Sequence, residues 1–344
     1  MEKSEKIIVG ISLGDLNGIG IEVVLKTFED KRMFDFCTPV LFGAQRAISH
    51  HKKALDLYNN THVIKQIAQV KHDALNVLTC WDEEVPIALG TATKESGSFA
   101  LKSLTAAVEA LQNGTVDTLV TAPIHKETIQ SEDFNFPGHT EYLESKLNGK
   151  SLMILMTETL RIGLITGHIP ISKVAETISE ELITEKVALL YQSLQEDFGI
   201  RRPKIAVLGL NPHCGDKGVI GSEDETITRP TIQKIKETGK LVYGPYAADG
   251  FFGSETYKEF DGVLAMYHDQ GLAPFKALSF GDGVNFTAGL DKIRTSPDHG
   301  TGFDIAGKGT ANASSFKAAL FASLQLFKKR KEHQGLVKNQ LSKK

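Results

Sequence analysis

Three histidines share one context. His168 ends Leu164-Ile165-Thr166-Gly167-His168, His213 ends Gly209-Leu210-Asn211-Pro212-His213, and His268 ends Leu264-Ala265-Met266-Tyr267-His268. Each closes a short apolar run of the kind that forms a strand. Ligands of open α/β sheets bind outside the carboxyl ends of strands, so three imidazoles placed there can converge although they are far apart in sequence. Three imidazoles with one open coordination position suit a catalytic divalent cation. A lone histidine is more often a hydrogen-bonded structural group, and this spacing matches no recognised zinc motif; the shared strand-end context is what raises the metal reading. Cys214, beside His213, could be a soft ligand, but neighbouring side chains usually diverge and a structural role is the simpler reading.

Acids and bases accompany the histidines. Asp249 in Ala247-Ala248-Asp249 and Asp269 in His268-Asp269-Gln270 could each accept a proton or orient a metal-bound imidazole. Downstream lie Lys276, Asn285 and Arg294, two cations and an amide that suit an anionic substrate. Arginine grips a carboxylate or phosphate bidentately, whereas lysine acts as a point charge; isolated basic residues are also ordinary surface groups. The turn Gly14-Asp15-Leu16-Asn17-Gly18-Ile19-Gly20 opens a helix but is not Gly-x-Gly-x-x-Gly, and no ribose-binding acid stands out at the expected distance. Its glycines are therefore read as strand–helix packing, not as a Rossmann cofactor site.

The elements that must position these groups alternate as in an α/β protein. Short apolar, β-branched runs are expected as strands near 7–13, 39–42, 116–121, 152–156, 161–166, 204–210, 261–267 and 284–289. Leu101, Leu104, Val108 and Leu111 repeat at helical spacing and stop at Asn113-Gly114. A second helix is expected from Ser179 to Gly199, with acids in its first turn, and a third from Ser314 through Phe327. The cations Lys328-Lys329-Arg330-Lys331 then read as a favourable helix C-terminus ahead of a polar tail, not as a nucleic-acid site.

Composition bounds the rest. The 344 residues, 41% hydrophobic and 24% charged, fit about two domains, and without a repeat or low-complexity linker the two are expected to interleave. A formal net charge of -3 gives no field that would gather nucleic acid or an anionic membrane. Three scattered cysteines, Cys37, Cys80 and Cys214, form neither a disulfide framework nor a thiolate zinc site, which fits a reducing cytoplasmic setting. The N-terminal run Ile7-Ile8-Val9-Gly10-Ile11 is too short to span a bilayer and lacks a signal peptide's cleavage region.

Several motifs together resemble the 4-hydroxythreonine-4-phosphate dehydrogenase family. They are Phe136-Pro137-Gly138-His139-Thr140-Glu141, Gly209 through His213, Tyr267-His268-Asp269-Gln270-Gly271-Leu272, and the long stretch Gly289–Gly309 with Ile293-Arg294-Thr295-Ser296 and Asp298-His299-Gly300-Thr301. The resemblance extends over nearly the whole chain. It implies that His168, His213 and His268 bind a divalent cation (zinc, magnesium or cobalt), and that His139, Thr140, Lys276, Asn285 and Arg294 bind a small phosphorylated substrate.

The segment His299–Gly309 also resembles the cofactor loop of the isocitrate and isopropylmalate dehydrogenases. That likeness implies a fold of two interleaved α/β/α subdomains with a cleft rather than a conventional Rossmann fold, and a homodimer sharing its active sites. The expected subdomains are 1–125 with 270–344 on the cofactor side, and 126–269 for metal and dimerisation. NAD or NADP is the implied cofactor, with His299, Gly300, Asp304 and Asn312 as its contacts and Asp249 or Lys276 as the catalytic base. The family's first turn usually carries prolines where this chain has Leu16 and Ile21. Rival readings are a dehydrogenase of a phosphorylated threonate or erythronate, a three-histidine metal hydrolase, and a regulatory protein that kept the fold without catalysis.

Overall fold

The computed structural model describes residues 6–338. Its strands are β1 Ile8–Ser12, β2 Thr38–Gly43, β3 Thr61–Ile64, β4 Leu75–Thr79, β5 Thr118–Thr121, β6 Gly149–Met156, β7 Arg161–Leu164, β8 Lys204–Leu208, β9 Leu241–Tyr246, β10 Gly262–Ala265, β11 Val284–Leu290 and β12 Ile293–Pro297. Strands alternate with helices, so the α/β class expected from the sequence is the one observed. The described residues form two compact units, one comprising 6–148 and Leu290–Gln325, the other Gly149–Gly289 and 326–338. Both units are thus made of separated segments, with crossings later in the chain than the expected 125/126 and 269/270.

In the first unit the strands lie in the order β3-β4-β2-β1-β5-β12, and the neighbouring pairs are parallel. Parallel strands bury both faces, which is why β1 and β2 read as nearly continuous apolar runs. The chain leaves β1 for β2 on one side and later adds β5 on the other, so the order reverses between β1 and β5, the usual location of a ligand crevice. The helix Lys94–Gln112 packs Ala100, Leu104, Val108 and Leu111 into a core with Val40, Phe42 and Leu119. It starts where Thr93 Oγ1 accepts the Ser96 amide at 3.1 Å and ends at Asn113-Gly114.

In the second unit the order is β11-β6-β7-β10-β8-β9. β7, β10, β8 and β9 are mutually parallel and β6 runs antiparallel to β7. The helix Glu180–Glu196 opens at Ser179, whose hydroxyl accepts the Leu182 amide at 3.2 Å, with Glu180 and Glu181 in its first turn.

Two expectations need correction. The last helix runs Ser314–Lys338, past Phe327, so the basic cluster is helix interior and not a helix end. Arg330 explains why: its Nε donates to Asp197 Oδ1 at 2.6 Å, a nearly buried pair that anchors the extension, while Lys329 pairs with Glu332 at 2.9 Å one turn on. Four strands also escape the hydrophobic pattern. β3 and β4 contain His62 and Asn76, β9 contains Gly244-Pro245, and β12 contains the buried Arg294. Each interrupts the apolar run that marks a strand.

Candidate active site

The three histidines follow three adjacent strands. β7, β10 and β8 are neighbours in that order, and His168, His268 and His213 lie just beyond their respective carboxyl ends. Pairing continues past β7: the Ile165 amide donates to Ala265 O at 2.9 Å, and Thr166 Oγ1 to Met266 O at 2.7 Å. Gln270 ties β10 to β8, its Oε1 accepting the Met266 amide and its Nε2 donating to Gly209 O, both at 2.7 Å. These bonds fix the loops that carry the imidazoles.

His168 and His268 have ring centroids 5.4 Å apart. Both line a cavity of about 490 Å³ with Gly167, Tyr267 and Asp269. His268 Nδ1 lies 2.7 Å from Asp269 Oδ1. A carboxylate accepts here, so the proton belongs on Nδ1 and the Nε2 lone pair is left for a cation. Of the two roles the sequence leaves open for Asp269, orienting an imidazole or accepting a proton, this contact suits the first.

His213 is presented differently. It is not among the residues lining that cavity, and among the described residues no three His, Cys, Asp or Glu side chains form a ready-made metal cage. Its short turn Pro212–Gly215 holds His213 and Cys214 at φ 52° and 54°, a left-handed conformation uncommon for side chains other than glycine. The buried Asp224 maintains it, its two oxygens accepting the Leu210 and Asn211 amides at 2.9 Å each. Burial raises the Cys214 thiol above its ordinary value, with Asp224, Glu225 and Asp249 adding to the effect and Arg229 opposing it. Asp249 thus lies within electrostatic reach of this turn, exposed at the start of the helix Ala248–Gly253 that follows β9. Lys276 is exposed on the helix His268–Ser279, and Asn285 on β11 has a buried Oδ1 with no hydrogen-bond partner among the described residues.

The first unit carries a different chemistry. Arg294, on β12 beside β5, is only 2% exposed and donates to Thr121 Oγ1 from Nε at 3.0 Å and Nη2 at 2.6 Å. Burial pulls its guanidinium down to about 9, with Glu141 acting in the opposite sense. His139 begins the helix His139–Lys146 and is followed by Thr140. Burial holds this imidazole well below its ordinary value, assisted by the positive charges of Arg294 and Lys126. It is therefore neutral at pH 7, with a buried Nε2 that has no hydrogen-bond partner among the described residues. A helix N-terminus, a buried guanidinium and a lysine within electrostatic reach of one imidazole form a setting for an anion. Lys126 and Thr121 were not singled out from the sequence; their position at the carboxyl end of β5 was the available signal.

His299 follows β12 and donates from Nδ1 to Gly300 O at 3.0 Å, leaving Nε2 buried without a hydrogen-bond partner among the described residues. Gly300, Asp304 and Asn312 lie exposed along the same segment. Asn312 Oδ1 accepts the Ser314 amide at 2.8 Å, so its amide nitrogen is the part left for recognition. His168 and His268, with a carboxylate that orients one of them, are donors of the kind a cation takes, His213 standing outside their cavity, and the strand-end segment 299–312 carries glycines of the kind a dinucleotide can approach.

Together the sheet orders and strand-end groups define an α/β protein with candidate functional groups at the carboxyl ends of parallel strands, imidazoles on one unit and an anion setting on the other. Within that class the chain belongs to the pyridoxal phosphate biosynthetic protein PdxA family, whose model matches residues 35–323. It is 49% identical over 343 residues to a 4-hydroxythreonine-4-phosphate dehydrogenase of Bacteroides thetaiotaomicron, covering 99% of this chain and 94% of the relative. A protein of Oceanobacillus iheyensis, provisionally named D-threonate 4-phosphate dehydrogenase, is 34% identical, with 94% and 98% covered. Among solved structures, the 4-hydroxythreonine-4-phosphate dehydrogenase of Klebsiella pneumoniae superposes with a TM-score of 0.79 at 30% identity, covering 95% of this chain and 99% of the other.

Proposed function

We propose that the protein is a metal-dependent, NAD(P)-linked dehydrogenase that oxidises 4-hydroxythreonine 4-phosphate and releases carbon dioxide to give 3-amino-2-oxopropyl phosphate. The observation that carries this reading is the buried Arg294 within electrostatic reach of the neutral His139, with Glu141 acting on the same guanidinium, a polar setting that suits an anionic ligand. A phosphate fits it through bonds from the guanidinium, the hydroxyl of Thr140 and Nε2 of His139. Lys276 and the unpartnered Asn285 amide oxygen serve the remaining polar groups of the substrate.

When bound, the cation supplies Lewis acidity toward the substrate hydroxyl and the dinucleotide supplies the hydride acceptor. His168, His213 and His268 would hold the cation, with Asp269 keeping His268 in the tautomer that exposes Nε2. Zinc, cobalt and magnesium all suit the reading. Asp249 or Lys276 takes the hydroxyl proton as hydride leaves the same carbon, and the β-keto acid so formed releases its carboxylate as carbon dioxide. His299, Gly300, Asp304 and Asn312 contact the dinucleotide.

The reading extends to a homodimer that shares its active sites. Exposed Ile171, Val219 and Ile220, close in sequence to His168 and His213, offer apolar surface for a second copy. The direct test of the metal assignment is titration of cobalt into chelator-treated protein, followed by its visible spectrum. Native protein is expected to bind one equivalent per chain, and His168→Ala, His213→Ala and His268→Ala each to weaken it. Equal affinity in all four would remove the imidazoles from the site.

A further inference from the structure

The segment 299–312 is held in place by its neighbours through bonds that the proposed chemistry does not use. The Gly14–Gly20 turn meets it first, where the Ile19 amide donates to Thr301 O at 2.9 Å. A side chain at Gly18 would stand 2.6 Å from that same carbonyl, and Gly302, at φ 56°, abuts Ile19. The far end of the segment meets the helix Gly20–Thr27. Glu22, only 1% exposed, accepts the Ala311 amide on Oε1 at 3.0 Å. Lys26, one turn later, donates from Nζ to Gly309 O and Ala311 O at 2.8 Å each, and lies 2.9 Å from Glu22 Oε1.

One lysine therefore bridges a buried carboxylate and two carbonyls of another segment. An ordinary i,i+4 surface pair contributes little and fixes nothing beyond its own helix. This pair instead reaches across 289 residues of chain to Ala311 and clasps the backbone immediately before Asn312. The carboxylate accepts the one amide and the ammonium donates to the two carbonyls, so both polarities of the backbone are satisfied at once.

We propose that Glu22 and Lys26 are positioning residues for the dinucleotide, acting through the 309–312 backbone to set where Asn312 presents its amide nitrogen. The inference rests on the reading of 299–312 as the dinucleotide-binding segment. Neither residue is among the proposed dinucleotide contacts, and neither belongs to the metal or anion groups. Their removal therefore acts on dinucleotide binding and leaves phosphorylated-substrate binding and the chemical step in place.

The test is NADH fluorescence titration, with steady-state kinetics alongside, on native protein, Lys26→Met, Lys26→Arg and the double variant Glu22→Gln/Lys26→Met. The double variant removes both charges together, which guards against misfolding caused by an unpaired buried carboxylate. The dissociation constant and KM for the dinucleotide are expected to rise ~10-fold in Lys26→Met and the double variant, because a displaced recognition group loses its geometry. The substrate KM and kcat at saturating dinucleotide should stay within about 2-fold, the pattern of lost uniform binding. Lys26→Arg, which keeps the charge and the donors, should retain most of the affinity. Native-like NADH binding in the double variant, or equal loss of dinucleotide and substrate affinity, would overturn the inference. If native protein binds no dinucleotide, the cofactor reading itself fails, a result distinct from either.

Discussion

Arg294 concentrates the argument at the scale of single residues. A guanidinium 2% exposed, bonded to the Thr121 hydroxyl and depressed to about 9, retains its charge at pH 7 at the cost of desolvation. Glu141 acts against that cost, and a bound anion would act in the same sense. Arg294→Met is expected to lower kcat/KM for the phosphorylated substrate by about 2–4 kcal/mol, roughly 30- to 1000-fold, and to abolish competition by inorganic phosphate. An unchanged KM and undiminished phosphate inhibition would place the anion elsewhere. Residue type alone offered Arg294 only as one of two cations and an amide suited to an anion, no more than an ordinary surface group; motif resemblance is what implied a substrate role. Burial, which distinguishes Arg294 from Lys276, is not written in local composition.

Strand ends are where the elements do their part. The histidine context was legible because β7, β8 and β10 are parallel and buried, so each reads as an apolar run with a polar terminus. Their adjacency was not legible, because it depends on β10 entering between β7 and β8 late in the chain. The helices Lys94–Gln112 and Glu180–Glu196 were foreseen from spacing and caps. The last helix was cut short because its continuation depends on Asp197, far away in sequence. Asp224 was passed over for a similar reason: its role is to bond the Leu210 and Asn211 amides and so hold His213 at positive φ. Asp224→Asn should weaken metal binding roughly 10- to 100-fold, as loss of an outer-shell support does. The cobalt titration reads this directly, and native affinity in the variant would separate the turn from the metal.

Stability of the whole molecule carries its own signature of pH. His51 is 1% exposed, donates from Nε2 to Leu16 O at 2.8 Å, and is lowered from 6.5 to about 4, chiefly by burial. The unfolded chain binds this proton more readily than the folded one, so the contribution is fully present above about pH 6.5 and is lost as pH falls toward 4. By pH 4.5 the loss should reach about 2–3 kcal/mol. Urea unfolding of His51→Gln, whose amide can still donate to Leu16 O, should show that much less dependence on pH than native protein; identical slopes would rule the residue out. The family sets the expected reaction, and its central claim is met most directly by nicotinamide reduction, followed at 340 nm, with purified protein and a divalent cation. Presented side by side with 4-hydroxythreonine 4-phosphate and a threonate 4-phosphate, the protein should reduce NAD(P) with the amino acid and stop when a chelator is added. Turnover of the threonate alone, or turnover indifferent to the chelator, would contradict the account.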